Sequence, residues 1–134
     1  MADNDDLVSL AAELGAALKN RGHVLALAES CTGGWAAQCV TAIPGSSAWF
    51  DRGFVTYSNA AKQEMLGVEG HTISSSGAVS AEKPVGTVCF AWASRTGEIR
   101  SVTEHYSGSR EEVRRQSVKT ALSGLLQLTL NLDL

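Results

Sequence analysis

The chain has 134 residues, 44% of them hydrophobic and 19% charged, a composition typical of a globular domain with a core of its own. The formal net charge of −3 excludes nucleic-acid binding through a broad basic surface, but it permits a local site for a small anion. No apolar run approaches the ~18 residues of a membrane span, and the N-terminus is acidic where a signal peptide is basic. We therefore expect one cytoplasmic domain over residues 1–134, with no nucleic-acid or membrane partner.

The cysteines and histidines predict neither disulfide bonds nor a metal site. The three cysteines are an odd number and lack the paired spacing of a metal motif, and the three histidines are scattered along the chain. We therefore expect reduced thiols and no bound metal.

Hydrophobic periodicity in the first half of the chain predicts helices that alternate with strands. The predicted elements are, in order, a helix over 7–18, a strand over 23–29, a helix over 33–43, a strand over 53–57 and a short helix over 60–67. Asn4 or Asp5 would cap the first helix, and Ser58 or Asn59 would cap the third.

The second half predicts a hairpin and a long helix. Residues 68–84 are rich in small residues and predict a loop of low order, while residues 84–94 and 98–107 predict two antiparallel strands. Ser109 followed by Glu112 is typical of a capping box and predicts the start of the last helix. Together the elements predict an α/β fold, a three-layer α/β/α sandwich with a mostly parallel sheet and an antiparallel edge hairpin.

The segment "AESCTGG" (28–34) lies where the first predicted strand ends and the second helix begins. In such sheets ligands bind at the carboxyl ends of the parallel strands. Ser30 is therefore a candidate nucleophile, and the amides of Thr32, Gly33 and Gly34 are candidates to hold an oxyanion or a phosphate. On the residues alone, a plain turn whose hydroxyl caps the helix is the more common explanation.

A serine nucleophile needs a base, and other side chains are candidates for the same edge of the sheet. Lys62, early in the short helix, would act as a base only in its uncharged form, and a solvated surface lysine is the alternative. Tyr57 ends the second strand and could donate a hydrogen bond. Arg110 lies in the first turn of the last helix, where the helix dipole disfavours a cation unless an anion binds there too. Cys31 is a rival nucleophile, although only the helix start would lower its pKa.

Five blocks, in order and over nearly the whole chain, resemble the CinA C-terminal domain family, and within it the stand-alone nicotinamide-nucleotide amidohydrolases. The blocks are "AESCTGG" (28–34), "PGSSAWFDRGFVTYSNAAKQEMLGV" (44–68), "GAVS" (77–80), "EKPVGTV" (82–88) and "SGSREEVRRQS" (107–117).

The resemblance implies a serine amidohydrolase that converts nicotinamide mononucleotide to nicotinate mononucleotide and ammonia, without a metal or other cofactor. It implies that Ser30 is the nucleophile, Lys62 the general base and Tyr57 a supporting hydroxyl. The substrate-binding residues that it implies are Thr32, Gly33 and Gly34 beside the nucleophile, and Arg110 for the phosphate.

The chain departs from the family pattern after Ser80, where about one helix, one strand and their loops are missing before Pro84. Two other interpretations therefore stay open: a non-catalytic nucleotide-binding or assembly module, and an amidase of the same mechanism that acts on another small carboxamide. The exposed edge of the hairpin also predicts a homo-oligomer.

Overall fold

The computed structural model describes residues 2–67 and 85–132. Its elements are α1 (Ala2–Arg21), β1 (Leu25–Glu29), α2 (Trp35–Thr41), a 3-10 turn (Ser46–Ala48), β2 (Phe50–Val55), α3 (Asn59–Leu66), β3 (Thr87–Ala93), β4 (Ile99–His105) and α4 (Arg110–Asn131). The loop predicted for 68–84, and the junction after Ser80 within it, lie outside the described residues.

The strands form one parallel and one antiparallel pair. β1 pairs with β2 in parallel, with Glu29 opposite Val55 at the carboxyl end, and β3 pairs with β4 in an antiparallel hairpin, with Ala91 opposite Ser101. The predicted α/β fold with a parallel sheet and an antiparallel hairpin is confirmed. Among the described residues the two pairs remain separate two-stranded sheets rather than one.

The first helix starts earlier than predicted. It begins at Ala2, so Asn4 and Asp5 lie inside its first turn and the cap predicted at either residue is wrong. A carboxylate in that turn is favourable because it lies at the positive end of the helix dipole. No helix within the described ranges is long and apolar enough to cross a membrane.

Local geometry also moves the limits of α2 and β2. Gly33 and Gly34 have φ angles of 60° and 100°, which lie in the left-handed region. A right-handed helix does not include residues with these angles, so α2 begins only at Trp35. β2 ends at Val55, which places Tyr57 beyond the strand. Both glycines are thus part of a turn that connects β1 to α2.

Two predicted caps are confirmed. The Ser58 hydroxyl accepts a hydrogen bond from the Ala61 amide at 3.0 Å at the start of α3. At the start of α4, Ser109 and Glu112 form both hydrogen bonds of a capping box. Each bond satisfies a donor that a helix N-terminus leaves without an intrahelical partner.

The core lies between α1, α2, α4 and β1. Its largest fully buried apolar side chains come from the three helices: Leu7, Leu14, Val40, Val118 and Leu122. Trp49, just before β2, belongs to the same cluster. The last helix therefore closes the core that the first two helices begin.

Two helical glycines each make room for a tryptophan. A Cβ on Gly15 of α1 would lie 2.3 Å from the Trp49 ring, and one on Gly124 of α4 would lie 2.2 Å from the Trp92 ring. The Trp92 indole also donates a hydrogen bond to the Ala121 carbonyl at 2.9 Å. Trp92 thus attaches β3, and with it the hairpin, to α4.

Candidate active site

The carboxyl ends of β1 and β2 bring two candidate residues to one edge of the parallel sheet. The Thr56 amide donates to the Glu29 carbonyl at 2.9 Å, which continues the pairing one residue past β2. Ser30 follows β1 directly, and Tyr57 follows Thr56. The structure therefore places Ser30 and Tyr57 at the strand ends where ligands of parallel sheets bind.

The turn after Ser30 is built by left-handed glycines. The Gly33 amide donates to the Ser30 carbonyl at 3.0 Å, and the Trp35 amide donates to the Thr32 carbonyl at 3.1 Å. Within the described residues the amides of Thr32 and Gly34 have no acceptor. Of the three amides predicted to hold an anion, two are therefore available and the Gly33 amide is not.

A buried carboxylate organises this turn. Glu29 accepts hydrogen bonds from the Thr32 hydroxyl at 2.6 Å, the Ala36 amide at 2.9 Å and the Ala37 amide at 3.0 Å. Only 8% of the Glu29 surface is exposed, and Thr32 is also buried. A buried charge with three donors is well compensated, so Glu29 fixes the turn to the start of α2.

Arg114 of α4 holds the same turn from the other side. Its Nε donates to the Cys31 carbonyl at 3.0 Å and its Nη2 to the Thr32 carbonyl at 3.2 Å. The guanidinium also lies 5.9 Å from the centre of the Trp35 ring, within the range of a cation–π contact. Arg114 is therefore a positioning residue of the turn.

Glu29 and Arg114 were not among the residues that the sequence analysis selected. The signal for Glu29 is an acidic residue shortly before a helix start, where the helix dipole favours a negative charge. For Arg114 the signal is weaker, because it is one helical turn beyond Arg110 and therefore shares its face of α4.

Tyr57 and Arg110 are in contact. The Arg110 Nη2 donates to the Tyr57 hydroxyl oxygen at 2.6 Å, and both side chains are exposed. The first turn of α4 thereby reaches the end of β2. A single hydrogen bond leaves other donors of the guanidinium open to a ligand.

Ser30 and Lys62 are both half-buried, the first in the turn and the second in the first half of α3. Neither the Ser30 hydroxyl nor the Lys62 amine has a hydrogen-bond partner among the residues that the structure describes. A direct bond between them is therefore not formed, and their pairing during catalysis stays a prediction.

Cys31 is a poor rival for the nucleophile. Desolvation of the thiol raises the pKa of Cys31 above its ordinary value, even though the residue as a whole is exposed. The nearby Arg114 lowers the pKa in part, but burial is the larger cause. Because the thiolate is the reactive form, the neighbouring serine is the better candidate.

The surface beside the turn is an open polar depression of about 280 Å³. It is lined by Thr32, Gly33, Gly34, Trp35, Gln38, Glu111 and Arg114. No group of three or more His, Cys, Asp or Glu side chains within the described ranges is arranged to hold a metal ion.

Comparison with known proteins gives close relatives over nearly the full length. The chain is 43% identical over 157 aligned positions to the nicotinamide-nucleotide amidohydrolase PncC of Escherichia coli, covering 92% of this chain and 95% of the relative. Of solved structures, the competence damage-inducible protein A of Klebsiella pneumoniae matches with a TM-score of 0.87 and 29% identity, covering 95% and 99% of the two chains. CihA of Agrobacterium tumefaciens matches with a TM-score of 0.85 and 35% identity, covering 92% and 95%.

The CinA C-terminal domain profile matches in two pieces, residues 7–83 and 80–129. The pieces overlap at residues 80–83, where the resemblance to the family implies a missing segment after Ser80. The alignment to the Escherichia coli relative is also longer than the 134 residues of this chain, so the relative has residues with no counterpart here. With matches over both halves and 43% identity to a relative, the chain belongs to the CinA C-terminal domain family.

Proposed function

We propose that this chain is a nicotinamide-nucleotide amidohydrolase, which hydrolyses the carboxamide of nicotinamide mononucleotide to give nicotinate mononucleotide and ammonia. The observation that carries the proposal is the 43% identity to the Escherichia coli protein named for that activity, over 95% of that protein's length. We assign this reaction to the salvage of pyridine nucleotides, since it converts one pyridine mononucleotide into another.

Ser30 attacks the carboxamide in the first step. Uncharged Lys62 takes the proton from the Ser30 hydroxyl as its oxygen bonds to the carboxamide carbon. The carbonyl oxygen becomes an oxyanion, and the available amides of Thr32 and Gly34 donate hydrogen bonds to it. The family match, whose first piece covers both Ser30 and Lys62, supports this step.

The second step releases ammonia and the third restores the enzyme. The carbon–nitrogen bond breaks, and the protonated Lys62 gives its proton to the leaving nitrogen. Lys62 then takes a proton from water, whose oxygen attacks the ester carbon, and the ester bond to Ser30 breaks. The proton returns to the Ser30 oxygen, and nicotinate mononucleotide leaves.

We assign Arg110 to the phosphate of the substrate, and Tyr57 keeps the role of supporting hydroxyl at the strand end. Arg110 offers donors beyond the one bonded to Tyr57, and a guanidinium binds phosphate well through paired hydrogen bonds. Arg114 has a different task, because two of its donors already hold the Ser30 turn. We therefore assign the Ser30 turn to catalysis and the first turn of α4 to recognition of the substrate phosphate.

The test is ammonia release from nicotinamide mononucleotide by four variants. We expect Ser30→Ala to abolish the release, and Lys62→Arg to lower kcat by about 10²–10⁴, because arginine keeps the charge but cannot act as a base. Lys119→Ala and Ser101→Ala change exposed residues away from the site and should leave kcat unchanged.

Arg110→Ala should mainly raise KM for the mononucleotide and leave KM for a phosphate-free nicotinamide riboside unaffected. Full turnover by the Ser30 and Lys62 variants would disprove the mechanism. A panel of other small carboxamides would show whether a different substrate is preferred, which would disprove the substrate assignment.

A second candidate is a non-catalytic module that binds a pyridine nucleotide. The two-piece match to the family profile favours it, because residues of the relatives are missing here. Calorimetric binding of nicotinamide mononucleotide by a chain that releases no ammonia would establish this alternative.

We further propose that the chain is one domain over 1–134, that it acts in the cytoplasm without a bound metal or other cofactor, and that it forms a homo-oligomer. The exposed hairpin supports the last point, since strand edges favour association. Light scattering of the purified protein would measure its mass, and a monomer at micromolar concentration would contradict the oligomer.

A further inference from the structure

The Arg114 guanidinium on α4 is directed at the backbone of the Ser30 turn. The side chain is half-buried, and no ion pair between described side chains includes it. Its two hydrogen bonds go instead to backbone carbonyls, from Nε to Cys31 at 3.0 Å and from Nη2 to Thr32 at 3.2 Å. The positive charge is therefore placed on the turn itself, next to the candidate nucleophile.

Two packing contacts hold the guanidinium in this place. Gly33 has a φ angle of 60°, and a Cβ built on it would lie 3.2 Å from Nη2 of Arg114. The centre of the Trp35 ring lies 5.9 Å from the guanidinium carbon. Because hydrogen bonds and packing act together, Arg114 has little freedom to leave the turn.

The Cys31 carbonyl and the Thr32 amide belong to the same peptide group. This group is trans, so its carbonyl and its amide point in opposite directions. The hydrogen bond from Arg114 to the carbonyl therefore fixes the direction of the Thr32 N–H, which has no acceptor within the described residues. A charged donor on the carbonyl also polarises the peptide group, and this makes the amide a stronger donor.

The Gly34 amide, the other donor available to an oxyanion, is not supported in this way. It shares its peptide group with the Gly33 carbonyl, and no hydrogen bond to that carbonyl is found in the described part of the chain. The two amides therefore differ, because the Thr32 amide is connected to a positive charge through its peptide group and the Gly34 amide is not.

We propose that Arg114 is a positioning residue of the oxyanion site: through the Cys31 carbonyl it orients and polarises the Thr32 amide, which is thereby the stronger of the two donors to the oxyanion. This role rests on the proposed function, because the oxyanion forms only during hydrolysis of the carboxamide. Since the negative charge develops only in the transition state, Arg114 should contribute to kcat rather than to KM.

Two substitutions of Arg114 separate its charge from its shape. Arg114→Gln keeps a donor but loses the charge, and Arg114→Lys keeps the charge. We expect Arg114→Gln to lower kcat by about 10–100-fold, which is less than the loss of a whole oxyanion donor, and to leave KM within about twofold. Arg114→Lys should lower kcat by about 3–10-fold. The matched control on the same helix is Lys119→Gln, an exposed position that should keep its kcat.

The reactivity of the Cys31 thiol measures the charge on the turn without any turnover. Arg114 lowers the pKa of Cys31, against the larger effect of burial and a smaller opposing effect of Glu29. Arg114→Gln should therefore raise the pKa of Cys31 further and slow its alkylation by iodoacetamide, whereas Arg114→Lys should change both less. Peptide mass spectrometry follows Cys31 separately from Cys89, which is exposed on β3 and is the internal control.

Added guanidinium gives a third measurement, which does not depend on comparing two substituted side chains. Ethylguanidinium should restore kcat of Arg114→Ala by about fivefold or more, and ethylammonium, which lacks the planar fork of donors, should restore less. Failure of ethylguanidinium to raise kcat would overturn the proposal.

The remaining outcomes distinguish this proposal from the proposed function. No ammonia release by the unmodified chain would disprove the proposed function, and the role of Arg114 would fall with it. Normal release by the unmodified chain, with equal kcat for Arg114→Gln and Arg114→Lys, would overturn the role of Arg114 alone. The same pKa of Cys31 in all three proteins would also overturn it, because the charge would then have no effect on the turn.

Discussion

The two strand pairs are attached to the molecule in different ways. The parallel pair is continuous with the core, because Leu25 of β1 and Trp49 beside β2 belong to the same buried cluster as α1 and α2. The hairpin has one buried apolar side chain among the described residues, Trp92, which lies outside that cluster. The pair that carries the candidate chemistry is thus rigidly fixed, whereas the hairpin depends on one helix.

The helix α4 serves both regions. Its first turns reach the candidate site through Arg110 and Arg114, and its later part holds the Trp92 ring over Gly124. Both strand pairs thus contact α4, and they differ in that the parallel pair also packs in the main core.

The largest expected effect comes from removing a tryptophan. Trp49→Ala should lower the free energy of unfolding by about 3–5 kcal/mol, because it empties part of the main core. Trp92→Ala should instead release the hairpin, with faster hydrogen exchange in β3 and β4 and unchanged protection in β1 and α2. Urea titration and exchange measure the two effects. If both variants lose protection everywhere, the two pairs form one cooperative unit and the comparison fails.

Glu29→Gln should cause the next largest loss of unfolding free energy. The amide of glutamine places a donor where the carboxylate accepted one of its three hydrogen bonds, so we expect a loss of about 1.5–3 kcal/mol. Ammonia release should fall as well, because the Ser30 turn loses its support. Glu64→Gln, at an exposed position of α3, is the matched control and should change stability by less than about 0.5 kcal/mol. Equal effects of the two variants would show that the carboxylate does not organise the turn.

Gly124→Ala tests the attachment of the hairpin by overpacking. The added methyl group would lie 2.2 Å from the Trp92 ring. We expect a net loss of about 1–2 kcal/mol, since overpacking outweighs the better helix propensity of alanine. Gln127→Ala, at an exposed position of the same helix, should be neutral or stabilising. A stabilised Gly124 variant would mean that Trp92 moves aside without loss.

The smallest expected effect is on the stability of the protein at low pH. Hydrogen bonds from the backbone and the side chain of Ser109 to the Glu112 carboxylate hold the pKa of Glu112 below its ordinary value of 4.5. A depressed pKa in the folded state adds stability above pH 4.5, which is lost as the pH falls through the folded-state pKa. The unfolding free energy of Glu112→Gln should therefore decline less below pH 4.5 than that of the unmodified chain. Identical slopes would exclude a contribution from this cap.

The sequence predicted the elements whose signals are local. The Ser58 cap and the Ser109–Glu112 capping box depend on residues within one helical turn, so spacing suffices to find them. The predicted strand end and the helix start after it located the Ser30 turn, and the resemblance to a known family then implied the roles of its residues. The predicted Asn4 or Asp5 cap is wrong because a polar side chain near a helix start does not by itself fix the capping position, and an acidic one is favourable in the first turn as well.

The contacts that complete the site could not be predicted in this way. The buried role of Glu29 depends on a turn that bends two amides of α2 back onto its carboxylate. The contact between Tyr57 and Arg110 joins residues 53 positions apart, with no local pattern to reveal it. The separation of the strands into two pairs depends on non-local pairing, which hydrophobic alternation does not specify.

The Arg114 contact has a consequence for the order of assembly. Arg114 binds the Cys31 carbonyl across 83 positions of the chain. During synthesis the Ser30 turn emerges long before α4. A growing chain therefore contains β1, the turn and α2 before the Arg114 hydrogen bond can form. Contacts between such distant positions form late because closing a long loop costs entropy first. Catalytic competence should therefore appear only when α4 docks, as one of the last events of folding, and a nascent chain without α4 should be inactive even where its first half is native.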